Sequence, residues 1–517
     1  MTQDHALAIL KTGANVFLTG EPGSGKTHTV NRYVNYLQSR GVYPAITAST
    51  GIAATHIGGY TLHSWSGIGI RRSLSRYDLD SLSQNRRVAE RIRKAHILII
   101  DEVSMLSANT LSMVDAVCRE IRPTPHSFGG LQVVLVGDFF QLPPVSRRGA
   151  DEQDAFSFEE NRAEFAYASP VWRALNPITC YLSEQHRQED AAFLDLLSAI
   201  RQQKFSAGHR RLLRSRYAPA PRGARVQLYS HNVDVNRINE GELKKLSGAP
   251  RIFEMTSRGP EKLIAALKRG CLSPERLQLK TGARVMFTKN DPMRRRFVNG
   301  TIGVVEGFSK ESGEPIVKTN TGRAILAEPM EWGLMDGGRA LARLTQVPLR
   351  LAWAITVHKS QGMSLDGAHM DLSDTFEYGQ GYVALSRVRT LEGLSLAGLN
   401  DRALEVHPDV SAKDAEFQRE SEEAGKRFSA VTSAELAVMH ENFIRSCGGK
   451  VLAETSAEKS YSVGAVRQTH RNAYKPWSEE EDTSLAARYH SGVTITALAK
   501  EFGRGRGAIV SRLAKLA

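Results

Sequence analysis

The chain has 517 residues, 41% hydrophobic and 24% charged, the balance of a folded protein with two or three ordinary cores rather than a disordered one. Lysine and arginine total 68 against 55 acids, a net charge of +13, which suits a polyanionic partner and equally suits simple solubility. No window reaches the roughly 18 apolar residues of a membrane span, MTQDHALAIL lacks the form of a secretory signal, and Cys118, Cys180, Cys271 and Cys447 show no paired metal or disulfide spacing; a cytoplasmic protein in a reducing compartment is expected.

Residues Asn15 to Thr19 form a short apolar run that predicts a buried parallel strand. Gly20-Glu21-Pro22-Gly23-Ser24-Gly25-Lys26-Thr27 follows at once with the spacing G-x-x-x-x-G-K-[ST]. The next stretch, Thr27 to Arg40, predicts a helix with Val30, Tyr33, Val34 and Leu37 along one side. Strand, glycine loop and helix in that order form a phosphate cradle: loop amides and the helix N-terminus face the anion. Lys26 is expected to reach the β- and γ-phosphates of ATP, and the Thr27 hydroxyl to ligate Mg²⁺.

Ile97 to Ile100 is a second apolar strand, ending in Asp101-Glu102. Ligands of open α/β sheets sit at the carboxyl ends of strands. Asp101 is therefore expected to hold Mg²⁺ and Glu102 to orient the attacking water. A plain solvent-facing turn would carry the same acid pair, so this assignment leans on the loop. A third strand, Gln132 to Val136, ends in Gly137-Asp138-Phe139-Phe140-Gln141, where the Gln141 amide can report on the γ-phosphate.

A phosphate loop does not separate kinases, transport ATPases and helicases; later blocks do. AITVHKSQGMSLD and YVALSR, between Leu351 and Leu391, resemble motifs five and six of superfamily-one helicases. Ala48 to Ala54 continuing to Gly58 to Trp65, then IDEVSML, FGG and GDFFQLPPV, resemble the corresponding motifs of the Pif-type, 5′-to-3′ branch. The resemblance covers about residues 1–400. It implies an α/β protein with two RecA-like domains, ATP bound between them, and a motor on single-stranded and forked DNA.

By the same resemblance Gln3 reads adenine, and Arg187 and Arg387 face the γ-phosphate from the second domain. Thr50, His63, Trp65, His358 and Lys359 contact DNA. His63 and Trp65 could equally be core, and each arginine could be a surface or DNA contact. Glu21-Pro22, Ser24 and His186 depart from the common family pattern. The arginine-rich stretch Arg71 to Lys94 would form a duplex-splitting wedge, or a solvated helix face.

Thr301 to Phe308, Pro315 to Thr319 and Arg323 to Ala327 are short strands between turns, similar to an SH3-like barrel insertion. The basic stretch KNDPMRRRFVNG before them is expected near DNA. Beyond about Asn400 the resemblance ends. Ser411 to Arg445 predicts one amphipathic helix carrying Phe417, Phe428, Leu436, Met439 and Phe443, and a polar linker runs to Pro476. Trp477 to Ala517 resembles a Myb-like helix-turn-helix, with Ser478 and Glu481 as a capping box and Arg504, Arg506 and Arg512 available to DNA; a protein partner stays open.

The expected organisation is 1–175 and 176–400 as RecA-like domains, with the wedge near 66–94 and the barrel near 281–345, then 401–476 and 477–517. A monomer is expected. A remodelling translocase, an ATP-switched DNA-binding regulator, and an RNA–DNA hybrid substrate stay open as alternatives.

Overall fold

Every side chain of β1 (Val16–Gly20) is buried, as a strand covered on both faces requires. With β2 (Ala45–Ala48), β3 (Tyr60–Thr61), β4 (Ile97–Asp101), β5 (Gln132–Val136) and β6 (Ile178–Leu182) it forms a six-stranded sheet in the order β3-β2-β4-β5-β1-β6. All five pairings are parallel. Ile100 stands opposite Leu135, and Leu18 opposite Val136. The chain therefore leaves β4, β5 and β1 on one edge of three adjacent strands. The computed structural model describes residues 1–56, 59–69, 71–144, 165–184, 190–218, 226–229, 233–291, 296–320, 322–336, 339–360, 363, 365–451, 472, 478–491, 493–504, 509 and 512–513, in two units, Met1–Lys450 and Val451–Ala517.

A second parallel sheet runs Ala354–Thr356, Val226–Tyr229, Ala368–Leu372, Leu394–Leu399 in spatial order. Inserted in sequence between its strands is a five-stranded antiparallel sheet built from Ala324–Leu326, Pro315–Thr319, Ile302–Phe308, Arg284–Phe287 and Leu349–Leu351. It has its own core, in which Val285, Phe287, Phe297, Val305, Val317 and Leu349 are buried together. The expected strands are present, but the same stretch also holds the hairpin Met330–Asp336 with Arg339–Gln346. That hairpin pairs with Thr256–Arg258 instead of joining the five-stranded sheet. Its Trp332, Leu334 and Leu344 belong to the main core, which draws it away.

The single helix expected over Ser411 to Arg445 is two helices, Pro408–Ser429 and Ser433–Ser446. Thr432 and Glu435 form a capping box that starts the second afresh, and Met439, placed on the apolar face by sequence, is exposed. The first helix lies along β6, the sheet's edge strand. There the Ser421 hydroxyl accepts the Tyr181 N–H at 2.9 Å, and the Thr179 hydroxyl donates to Glu420 at 2.6 Å. The helix thus covers part of the edge strand. Phe417 from this helix lies 4.9 Å from the Phe17 ring and 6.0 Å from Phe139. The second helix returns to the first domain, where His440 Nε2 bonds the Ala8 carbonyl at 2.9 Å. The two helices form a strap from the end of the second sheet back onto the first.

The unit Val451–Ala517 contains helices Glu479–His490 and Ile495–Glu501 around Leu485, Leu498, Ala499 and Ile509. The capping box of Ser478 and Glu481 is present; Trp477, Gly492 and Arg506 lie outside the described residues. Among the described residues no helix is long and apolar enough to cross a membrane.

Phe417→Ala empties a buried site between several aromatic rings and is expected to cost about 3–5 kcal/mol, read as a lower urea midpoint with an unchanged slope. A loss under about 1 kcal/mol would mean that the strap does not hold the first domain.

Candidate functional site

The glycine loop leaves β1 through Gly20, where φ is 141°. A Cβ there would come within 2.6 Å of the Leu182 carbonyl and 2.9 Å of Ser24 Oγ. Gly25, at φ 89°, is the N-cap of the helix Lys26–Ser39, so the unbonded amides of the first turn open toward the loop. Lys26 Nζ donates to the carbonyls of Gly20 at 2.7 Å and Glu21 at 3.0 Å, holding the loop curled. Ser24 Oγ is buried inside the loop without a hydrogen-bond partner among the described residues. Gln3 sits against it: Nε2 donates to the Ser24 carbonyl at 3.2 Å, and Oε1 lies 3.0 Å from His28 Nδ1. The fold thus fastens Gln3 to the loop, with Pro22 and Gly23 between its two ends.

On the adjacent strand end, Glu102 donates its N–H to Asp101 Oδ1 at 2.9 Å, and its carbonyl accepts the Ser49 hydroxyl at 2.7 Å. These bonds hold Glu102 at φ 53°, ψ 47°, a left-handed backbone that an L side chain adopts at a cost of about 1–3 kcal/mol. Burial pushes the Asp101 carboxyl up from its ordinary range, opposed by the Glu102 N–H and by the charge of Lys26. A Mg²⁺–nucleotide fits this donor set: Thr27 and Asp101 would hold the ion, which shields phosphate charge, and Lys26 the phosphates. The described residues contain no cluster of three or more His, Cys, Asp or Glu suited to a metal held by protein alone.

β5 delivers Asp138, which accepts the Phe140 N–H at 3.2 Å and lies 3.5 Å from Gln141 Nε2. Just past the helix Gln380–Leu385, in the second domain, comes Arg387, only 2% exposed. Its Nε donates to the Val383 carbonyl at 3.0 Å and one terminal nitrogen to Ser386 Oγ at 3.0 Å. Burial lowers its pKa, and the nearby charge of Glu102 is the largest opposing influence. The structure therefore sets Lys26 and Thr27, Asp101 and Glu102, and Gln141 after three adjacent parallel strands, and Arg387 just past a helix whose N-cap meets the Gln141 loop. Arg187 lies outside the described residues, as do the side chains of His358 and Lys359.

Of the expected DNA contacts, Trp65 is corrected. It is 1% exposed in the main core, where burial of its large apolar ring stabilises the fold, and it offers no face to a base. His63 is half-buried, and burial lowers its pKa. The Thr50 hydroxyl accepts the Ala53 N–H at 3.2 Å, at the start of the helix Gly51–His56.

The basic stretch forms helices Arg76–Gln84 and Arg86–Lys94. Arg76 pairs with Glu120 at 2.9 Å, and Arg91 bonds the Trp65 carbonyl and lies over the Tyr60 ring. Arg72, Arg86, Arg87 and Arg93 are exposed, and so is Tyr77 at 81%. In the KNDPMRRRFVNG stretch, Arg296 pairs with Asp291 at 2.8 Å and Lys289 bonds the Glu331 carbonyl; Arg294 and Arg295 lie outside the described residues.

Sequence reasoning missed Arg201, at the end of the helix Ala191–Arg201. It is 4% exposed and donates to both oxygens of Asp138, at 2.9 and 3.0 Å. Burial works against its charge, and Asp138, Tyr382, Tyr181 and Asp414 outweigh it. No local pattern marks it: an arginine in a helix's last turn ordinarily faces water.

Residues 4–211 match the family model described as PIF1-like helicase. The chain is 40% identical to the ATP-dependent DNA helicase Pif1 of Psychrobacter sp. (strain PRwf-1), over all of this chain and 87% of that protein. It is similar to the crystal structure of a Bacteroides sp Pif1 in complex with ADP-AlF4, with a TM-score of 0.69, 30% identity, and coverage of 81% of this chain and 96% of that one. A Bacteroides Pif1 bound to ssDNA matches with a TM-score of 0.52 at 30% identity, over 81% and 97% of the two chains.

A Cβ on Gly25 would stand 2.1 Å from Gln3 Nε2, at a positive φ. Gly25→Ala is accordingly expected to weaken nucleotide binding at least about tenfold, measured by titration with a fluorescent ATP analogue. Wild-type affinity would show that the loop and Gln3 do not form the nucleotide seat.

Proposed function

This chain belongs to the PIF1-like helicase family, and from that membership and the site's geometry we infer that it is an ATP-dependent DNA helicase. It translocates on single-stranded DNA and separates the duplex ahead. The observation that carries the mechanism is the close packing of the helix that leads into Arg387 against the Gln141 loop, where a Cβ on Gly379 would stand 2.5 Å from the Phe140 carbonyl. Hydrolysis then needs both sheets. Lys26 and the loop amides hold the phosphates; Glu102 polarises the attacking water. Gln141 contacts the γ-phosphate side, and Arg387 stabilises charge on the transferred phosphoryl group. A burial that lowers the guanidinium's pKa is relieved by a polyanion, so phosphate draws Arg387 and the second sheet inward.

The finer assignments are ours. Arg187 acts with Arg387, while Thr50, His63, His358 and Lys359 line the strand path. Movement runs 5′ to 3′, by the resemblance of motifs Ia, two and three to that branch. The five-stranded sheet, with its separate core, supports an SH3-like module beside that path, and the exposed Tyr77 and arginines of the helix pair support a wedge. Domain limits near 175 and 400 suit this layout, as does a working monomer. In the last unit Arg504 pairs with Glu481 and Arg512 with Asp482, so two of three arginines assigned to DNA stabilise the fold itself. That favours a role in docking protein over reading a groove.

Glu102→Gln keeps shape and removes the base. Its kcat is expected to fall about 10²–10⁴-fold with nucleotide affinity retained, and displacement of a 5′-tailed strand to stop with it. Wild-type protein that opens only 3′-tailed forks would overturn the polarity. Wild-type protein that hydrolyses ATP on DNA but opens neither fork would favour a translocase that remodels complexes.

A further inference from the structure

We propose that Arg201 is the positioning residue that couples the Gln141 loop of the first domain to the Arg387 helix of the second; the proposal rests on the helicase reading above. One terminal nitrogen of Arg201 serves both sides, donating to Asp138 at 2.9 Å and to the Tyr382 hydroxyl at 3.0 Å. Asp138 also holds the Phe140 N–H and faces the Gln141 amide. Tyr382 lies on the helix Gln380–Leu385, which leads directly into Ser386 and Arg387. Arg201 thus stands one residue contact from the group that senses γ-phosphate and one helix from the group that stabilises it.

Four further contacts mark this as a junction. The guanidinium stacks 4.0 Å from the centre of the Phe140 ring. Its Nε lies 3.9 Å from Glu21 in the phosphate loop. Its second terminal nitrogen donates to the Tyr181 hydroxyl at 2.7 Å and lies 3.6 Å from Asp414 on the strap. The two domains also meet in backbone. Gly379, the N-cap of the Tyr382 helix at φ 76°, is so close that a Cβ would stand 2.5 Å from the Phe140 carbonyl and 3.0 Å from that of Gln141.

The physical consequence is a shared donor. Arg201 and Tyr382 both belong to the second domain, so if that domain withdraws they leave Asp138 together and the close pair opens. A buried carboxylate left unpaired is costly, so the pair favours the closed arrangement, and the Tyr382 hydroxyl holds the guanidinium where it meets Asp138. Closure restores the pair and fixes Phe140 and Gln141 while Arg387 arrives. Coupling energy between two sites requires such an element with two arrangements, each favoured by one site.

Arg201→Gln would leave Asp138 buried without its cation and could simply unfold, so the test uses two gentler variants. Tyr382→Phe deletes one hydroxyl, and Arg201→Lys keeps the charge but not the fork that reaches Asp138, Tyr382 and Tyr181 together. ATP hydrolysis is measured with and without a saturating single-stranded oligonucleotide, alongside melting temperature. Both variants are expected to lose about fivefold or more of DNA-stimulated kcat, with KM for ATP unchanged and melting close to wild type. A DNA-stimulated wild type with Tyr382→Phe equally stimulated would overturn the coupling and leave the helicase reading standing. A rise in KM instead of a fall in kcat would overturn it too, placing Arg201 in nucleotide binding. A wild type indifferent to DNA would sink the helicase reading and the coupling together.

Discussion

Parallel pairing of β4, β5 and β1 is the constraint on which the site depends. Strands lie about 4.8 Å apart, and Ile100 stands level with Leu135 while Leu18 stands level with Val136. The groups that follow each strand are therefore delivered side by side, with no long-range adjustment: the glycine loop from β1, Asp101 and Glu102 from β4, Asp138 and Gln141 from β5. Slipping a strand by one residue would exchange the side chains packed on its two buried faces and break their fit. The hydrophobic core enforces the register, and the register places the chemistry.

Two buried guanidiniums show how such a site stays both firm and responsive. Arg201 meets Asp138 in a close pair with two oxygens, and its surroundings more than offset the loss of water. Removing one member of such a pair destabilises a protein by about 3–5 kcal/mol. Arg387 bonds one carbonyl and one hydroxyl, with Glu102 acting through its field. Desolvation still prevails there. The first arginine holds the closed arrangement through its partners; the second gains most when phosphate charge arrives opposite it. Coupling of hydrolysis to domain movement follows from that difference in satisfaction.

The parts of this architecture that are local in the chain could be read from the residues. Gly20 to Thr27, Asp101-Glu102 and Gln141 each sit at the end of an apolar run, and strand, turn and chemistry share one short window. The short strands of the five-stranded sheet were legible for the same reason. Burial set by distant contacts was not. Trp65 lies within a motif that resembles a DNA contact, yet the core claims it. The hairpin Met330–Asp336 and Arg339–Gln346 joins another sheet because Trp332 and Leu344 find partners in the main core. One amphipathic period across 411–445 hid the break at Thr432, since both helices face the same domain. Arg201 draws its meaning from Asp138, Tyr382 and Asp414, all far from it in sequence.

The central claim is that closing the second sheet on the first makes hydrolysis answer to DNA. The direct measurement is steady-state ATP hydrolysis by the wild-type chain as a single-stranded oligonucleotide is titrated in. The account predicts a saturable rise of at least about tenfold, weakening as salt increases because phosphate contacts release counterions. A rate that stays flat across the titration would contradict it, and would leave the cleft as a nucleotide switch rather than a motor.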